Sequence, residues 1–151
     1  MTAAYDTTPI PLRPDLGGAL NRTHERLAQP ASWLDGAHRL AVAAESHNAW
    51  DCPFCQARKE ALSPYGADGT HDSLGQIQAP WADVIYRVVT DSGRLSARWY
   101  GEALDGGMVE DELIEIISIA LQATVVDCFN AGIGMKNPAL PTAAPGKPGR
   151  K

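Results

Sequence analysis

The sequence has little of several features that mark particular classes of protein. Only 3 of its 151 residues are cysteines, whereas small secreted scaffolds are rich in cysteines that pair across long loops. No apolar run reaches the roughly 20 residues that a membrane-spanning helix needs, because acidic residues interrupt the longest one. The first 15 residues contain no apolar core of a secretion signal. We therefore expect a cytoplasmic protein without a membrane partner.

Basic residues are also scarce and scattered through the chain. The formal net charge is −5, and the only basic cluster is the tail from Lys147 to Lys151. Proteins that bind nucleic acids present clustered Lys and Arg to the phosphates, so we expect no nucleic-acid partner. The apolar fraction of 44% is normal for a globular protein, and a chain of this length can bury the core of one domain.

Apolar residues recur at helical spacing through most of the chain, and no stretch alternates as a β-strand would. The pattern predicts six helices, over about 15–28, 32–50, 52–62, 80–92, 95–104 and 110–133. The predicted fold class is all-α, a compact helical bundle. Its helical domain spans residues 16–135, between extended Pro-rich arms at 1–15 and 136–151.

The last predicted helix is apolar on nearly all of its sides. One face carries Leu113, Ile116 and Ala120, and Ile114 and Ile119 occupy other sides. In a small domain, a helix buried on several sides often contacts another subunit, so we expect a homo-oligomer. A third cysteine, at position 128, lies on the apolar face, where a free thiol behaves as a small hydrophobic residue and is expected to pack in the core.

The most specific motif is a C-x-x-C pair, Cys52 and Cys55, at the start of the third predicted helix. The unpaired N–H groups and the dipole of a helix N-terminus stabilise a thiolate, and a second thiol one turn away can close a disulfide. Arg58 and Lys59 would lower a thiolate pKa further by their charge. Redox chemistry is the leading interpretation. A structural metal site, or thiols without a chemical role, are the alternatives.

The metal alternative requires more ligands than the pair supplies, because structural zinc sites usually have four. Candidates are His47, His71 and Cys128, none of which belongs to a second closely spaced pair. The string Cys-Pro-Phe-Cys also occurs in glutaredoxin-like proteins, where it follows a buried strand. Here residues 34–47 have helical periodicity, which disfavours that fold.

Several segments of the sequence resemble one family. Leu40-Ala-Val-Ala-Ala-Glu-Ser, followed shortly by the C-x-x-C pair, resembles the alkylhydroperoxidase D and carboxymuconolactone decarboxylase family, and residues 94–107 and the helix from Glu110 resemble its later helices. The likeness is greatest to the subgroup of alkylhydroperoxidase-related proteins and selenoproteins. It is carried by Cys55-Gln-Ala-Arg-Lys-Glu-Ala-Leu-Ser-Pro, His71-Asp72 and Val89-Thr-Asp-Ser-Gly-Arg-Leu-Ser, within about residues 30–145.

The resemblance implies an all-α, oligomeric enzyme that reduces hydroperoxides through its thiol pair. It would act as a thiol peroxidase or disulfide oxidoreductase, accept electrons from a thiol or dithiol donor, and need no cofactor beyond its dithiol. In the family the second cysteine attacks the peroxide and the first resolves it. Carried over, Cys55 would attack and Cys52 would resolve, whereas the helix dipole alone favours Cys52 as the more activated thiol.

The sequence departs from the family at the proton relay. The family's Glu before the pair and His after it fall here near Leu40 and Lys59, which are not relay residues. We therefore expect Glu45 and His71 to act as proton carriers if the fold brings them close to the thiols. The alternative functions are a non-catalytic redox sensor and a zinc-binding protein on the same scaffold.

Overall fold

The computed structural model describes residues 3–149, so the first two residues of the predicted N-terminal arm and the last two of the predicted tail lie outside it. Within this range the chain is all-helical, as predicted, and contains no strand. Its helices are α1 (Pro14–Leu27), α2 (Gly36–Ala49), α3 (Pro53–Glu60), α4 (Ala79–Asp91), α5 (Ala97–Asp105) and α6 (Glu110–Gly132). A 3-10 turn at Ser92–Arg94 joins α4 to α5.

Helices α2, α4 and α6 pack against one another and form the core, and α3 packs on α4. Val42, Ile85, Leu113 and Ile116 are fully buried between them. Each such aliphatic side chain contributes about 1.5–3 kcal/mol through removal from water. In the described part of the chain, none of the helices has the length and apolar character needed to cross a membrane.

The start of α2 differs from the prediction, which placed it near Ser32. The helix begins at Gly36, because the Asp35 carboxylate caps it by accepting a hydrogen bond from the His38 N–H at 2.9 Å. A Cβ at position 36 would lie 2.1 Å from the carbonyl oxygen of Ala28. Only glycine therefore allows α2 to begin against the end of α1, a contact that periodicity does not reveal.

Both arms pack on the helical domain of their own chain. Near the C-terminus, the Ala144 N–H donates to the Ala28 carbonyl at 2.9 Å, and the Gly149 N–H donates to the Ala31 carbonyl at 2.8 Å. Near the N-terminus, Tyr5 is buried, and its hydroxyl accepts a hydrogen bond from Asn130 Nδ2 at 3.1 Å. The described parts of the arms thus close over the junction between α1 and α2 and over the end of α6.

Helix α6 is only partly buried. Its inner face packs in the core, but Ile114, Leu121 and Val125 are 55%, 47% and 67% exposed, and Cys128 is exposed as well. We call these four residues the α6 stripe. The prediction that Cys128 packs in the core is wrong: Leu113, Ile116 and Ala120 of the predicted apolar face are buried, but Cys128 lies on the exposed side of the helix. The stripe lies on the solvent side of the monomer.

Candidate active site

The two cysteines of the motif lie where the sequence predicts them, at the N-terminus of a helix. Cys52 is the N-cap residue of α3, Pro53 is its first residue, and Cys55 lies within its first turn. Both cysteines are free thiols, and their exposed fractions are 1% and 2%. The proline suits the first turn because its missing N–H would have no partner there.

His71, on the segment between α3 and α4, brings an imidazole to both thiols. Its Nδ1 lies 3.4 Å from the Cys55 Sγ and 3.9 Å from the Cys52 Sγ. Its Nε2 lies 3.0 Å from Oδ1 of Asp83. Burial raises the pKa of the Asp83 carboxyl, but the hydrogen bond from His71 and the charge of Arg58 outweigh this, so the net pKa is lowered.

The ionised Asp83 carboxylate fixes the tautomer of the neutral imidazole. A carboxylate can only accept, so Nε2 carries the proton and donates it to Asp83. The lone pair of Nδ1 then faces the two sulfurs, where it can accept a proton from a thiol. We call Cys52, Cys55, His71 and Asp83 the thiol site.

Neighbouring side chains hold the imidazole in place. The His71 ring lies between Phe54 and Tyr86, with ring centroids 5.1 and 4.6 Å away. Both terminal nitrogens of Arg58 donate to Asp83 Oδ1 at 3.2 Å, and the guanidinium lies 4.4 Å from the Phe54 ring centroid. The two aromatic rings and the ion pair between Arg58 and Asp83 together restrict His71 to the orientation that faces the thiols.

The surroundings of the two thiols give them different pKa values. Burial raises the pKa of the Cys52 thiol, but hydrogen bonds from the backbone N–H groups of Asp72 and Cys55, and the contact with His71, outweigh it and lower the pKa to about 7. Burial raises the pKa of Cys55 to about 12, and the neighbouring Cys52 adds to this, against a smaller opposing effect of the Thr90 hydroxyl. Cys52 is therefore the more acidic thiol of the pair and is partly ionised near neutral pH, whereas Cys55 stays protonated.

Glu45 is fully buried on α2 and fastens the segment that carries His71. Its Oε1 accepts hydrogen bonds from the Ser73 hydroxyl at 2.8 Å and the Leu74 N–H at 2.9 Å. Its Oε2 accepts a hydrogen bond from the Tyr86 hydroxyl at 2.8 Å. These bonds place Glu45 behind the thiol site, where it positions residues around the imidazole.

The structure thus brings together three of the four predicted site residues, and links the fourth through Tyr86. Sequence reasoning missed Asp83 and Tyr86. Tyr86 stands within an apolar run that predicts only core packing, and Asp83 stands 12 residues beyond His71. The sequence signal for Asp83 is a single acidic residue within the otherwise apolar first half of α4.

The other residues considered as metal ligands lie elsewhere. His47 pairs with Asp127 at 2.7 Å, and Cys128 belongs to the α6 stripe. The ligand atoms of Cys52, Cys55 and His71, in contrast, lie within 4.8 Å of one another. Of the candidates named from the sequence, only His71 joins the cysteine pair.

Two kinds of chemistry suit this arrangement. A thiolate, a second thiol and an oriented base can carry out a dithiol–disulfide cycle, and two sulfurs with one imidazole can bind a zinc ion. Comparison of the chain with protein-family models, with curated proteins and with solved structures found no match in any of the three.

Proposed function

We propose that the protein is a thiol-dependent oxidoreductase that reduces hydroperoxides, with Cys52 and Cys55 cycling between dithiol and disulfide. The observation that carries this proposal is the position of His71 Nδ1, 3.4 and 3.9 Å from the two sulfurs, with Asp83 on the other ring nitrogen. A nucleophile, a base and a group that orients the base form the usual arrangement of an activated thiol.

Cys52 is the attacking thiol in this proposal. Its pKa of about 7 makes a large fraction thiolate at neutral pH, whereas the pKa of Cys55, about 12, keeps that thiol protonated. This assignment agrees with the helix-dipole argument and reverses the order that the family resemblance implies. The N-cap position of Cys52 agrees with it, because the Cys55 N–H in the first turn of α3 faces this sulfur.

The reaction then has two chemical steps and a reduction. The Cys52 thiolate attacks one oxygen of the hydroperoxide, the O–O bond breaks, and the products are a Cys52 sulfenic acid and an alkoxide that takes up a proton to become an alcohol. His71 removes the proton of Cys55, which attacks the sulfenic sulfur, so that the disulfide forms and water leaves. A thiol or dithiol donor returns two electrons and two protons.

Both thiols are nearly inaccessible in this conformation, so the proposal requires the His71 segment to open for the oxidant. The hydrogen bonds of Ser73 and Leu74 to Glu45 would control that opening. Burial also protects the sulfenic acid from further oxidation until Cys55 reacts.

A test uses cumene hydroperoxide as oxidant and dithiothreitol as donor, with dimedone to trap sulfenic acid for mass spectrometry. We expect Cys55→Ser to accumulate a dimedone adduct on Cys52, and Cys52→Ser to give none. An adduct on Cys55 in Cys52→Ser would reverse the assignment. Wild-type protein that consumes no peroxide would contradict the proposed function.

Zinc binding is a second candidate, favoured by the cluster of ligand atoms. Tetrahedral zinc with Zn–S of about 2.3 Å and Zn–N of about 2.0 Å places sulfur and nitrogen about 3.5 Å apart, close to the observed 3.4 and 3.9 Å. The carboxylate on the far nitrogen of His71 is also a frequent feature of zinc sites. Stoichiometric zinc that survives purification and blocks thiol oxidation would favour this candidate over the redox enzyme.

A further inference from the structure

A cavity of about 160 Å³ adjoins the thiol site. Arg58 and Asp83 belong to its wall as well as to the surroundings of His71, and Arg87, Trp99 and Tyr65 line it further along. Polar and apolar groups share this wall, since Val84 and Pro80 also contribute to it. The cavity therefore offers both charge and apolar contact.

Arg87 is a buried cation that forms no ion pair within residues 3–149, although its charge, after the hydrogen bond from Arg98, helps to lower the pKa of Glu102. It is 3% exposed, and its Nη2 donates only a long hydrogen bond, 3.4 Å, to the Arg94 carbonyl. The acidic groups at the cavity have other partners. Asp83 pairs with Arg58 and His71, and Glu102 pairs with Arg98 at 2.7 Å. Within residues 3–149, no carboxylate forms an ion pair with Arg87.

Buried N–H donors without an acceptor concentrate at the same wall. In the described part of the chain, they are Nε of Arg58, Nε of Arg87 and Nε1 of Trp99 there, and Nε of Arg39 elsewhere. Buried polar groups normally have partners, and a buried charge is costly unless it is paired. A cluster of such groups around one cavity indicates that an acceptor with negative charge completes it.

We propose that this cavity binds the carboxylate of a small organic acid, with Arg87 as its counter-charge and Trp99 and Val84 in contact with its apolar part. A cavity of about 150 Å³ is large enough for benzene, so an acid of the size of benzoate suits the volume. One unpaired cation beside apolar walls favours a monoanion over phosphate. This binding site does not depend on the redox chemistry of the thiols.

The test is calorimetric titration of the full chain with benzoate, and with benzamide as its uncharged analogue. We expect saturable binding of benzoate and none of benzamide. Arg87→Met should weaken benzoate binding about tenfold or more, as expected for loss of a charged hydrogen-bond donor. Arg98→Met, which removes an exposed positive charge near the cavity, should change the affinity less than about twofold.

Two controls keep this test decisive. Arg87→Met should melt at a temperature no lower than wild type, since it removes an unpaired buried cation. If that variant does not fold, Trp99→Phe serves instead, because it removes one N–H and is expected to weaken binding about fivefold. Equal binding of benzamide and benzoate, tighter binding of inorganic phosphate, or unchanged affinity in both Arg87→Met and Trp99→Phe would overturn the proposal.

Discussion

Helices α2 and α6 pack against each other, yet they depart in opposite ways from the usual arrangement, in which apolar side chains are buried and polar ones are exposed. Helix α2 buries Glu45 and Ser46 completely, whereas α6 leaves Ile114 and Val125 55% and 67% exposed. The buried carboxylate satisfies three donors around the thiol site. The exposed residues of the α6 stripe are not covered by their own chain. The buried Glu45 thus adjoins the candidate active site, and the exposed apolar residues of α6 form a surface suited to a partner.

The spacing of the α6 stripe is that of a helix face that packs against another helix. The four stripe residues, together with the exposed Ser118 between Ile114 and Leu121, follow one another at intervals of four and three residues. This is the spacing of a coiled-coil seam. We propose that a second copy of the chain covers the stripe, which would account for the homo-oligomer expected from the sequence.

The largest expected effect is on peroxide consumption, which should depend on the thiol site and not on the stripe. Cys52→Ser should abolish peroxide consumption, because it removes the attacking sulfur. Cys128→Ser, a matched change in the stripe, should leave the rate unchanged. Peroxide consumption with dithiothreitol measures both. Loss of activity in Cys128→Ser alone would show that the stripe, and not the thiol site, carries the reaction.

The next effect concerns the stability of the polar region. Glu45→Leu should lower the free energy of unfolding by about 3 kcal/mol, because Ser73, Leu74 and Tyr86 lose their buried acceptor. Glu25→Leu, at an exposed position of α1, should change it by less than about 0.5 kcal/mol. Urea unfolding followed by circular dichroism measures both variants. Equal values for the two would show that burial of Glu45 does not stabilise the fold.

A smaller effect is expected from the group that orients His71. Asp83→Asn should slow disulfide formation after one equivalent of peroxide about tenfold or more, because the amide fixes the imidazole tautomer less strongly than a carboxylate. Rapid quenching with an alkylating agent, followed by mass spectrometry, measures this rate. Asp105→Asn, at an exposed position at the end of α5, serves as the control and should react at the wild-type rate.

The pH dependence of alkylation tests the separation of the two thiols. The rate at Cys52 should rise as the pH increases through about 7 and level off above it, because the thiolate is the reactive form and the thiol pKa is lowered to about 7. An ordinary cysteine in a peptide has its midpoint near pH 8.5. A midpoint for Cys52 at or above that of the peptide would contradict the electrostatic account of the site.

The smallest effect on folding is expected from a change in the stripe. Val125→Lys should dissociate the oligomer while changing the monomer's free energy of unfolding by less than about 0.5 kcal/mol, because the side chain is exposed in the monomer. Light scattering measures the assembly. If light scattering shows that the wild-type protein is a monomer, the stripe does not form the proposed interface.

Sequence periodicity predicts the helices well, because each has an apolar face that must be buried. It does not predict which side of α6 faces the core, since apolar residues occur on nearly all sides of that helix. Nor does it predict the start of α2, which depends on close approach of Gly36 to the backbone of Ala28.

The sequence predicts only those parts of the candidate site whose residues are close to one another in the chain. The cysteine spacing and the helix N-terminus are both readable in the motif, and His71 was named because it is a histidine near it. The contacts of His71 with Asp83 and of Glu45 with Leu74 join residues 12 and 29 positions apart in the chain. Such contacts arise from the packing of α2 and α4, which the sequence pattern does not specify.

The most direct test of the central claim is a thiol count and intact mass, taken before and after one equivalent of cumene hydroperoxide. We expect rapid loss of two thiols, a mass lower by two hydrogens, and a peptide map that joins Cys52 to Cys55. Cys128 should remain free. Retention of all three thiols under these conditions would contradict the redox function.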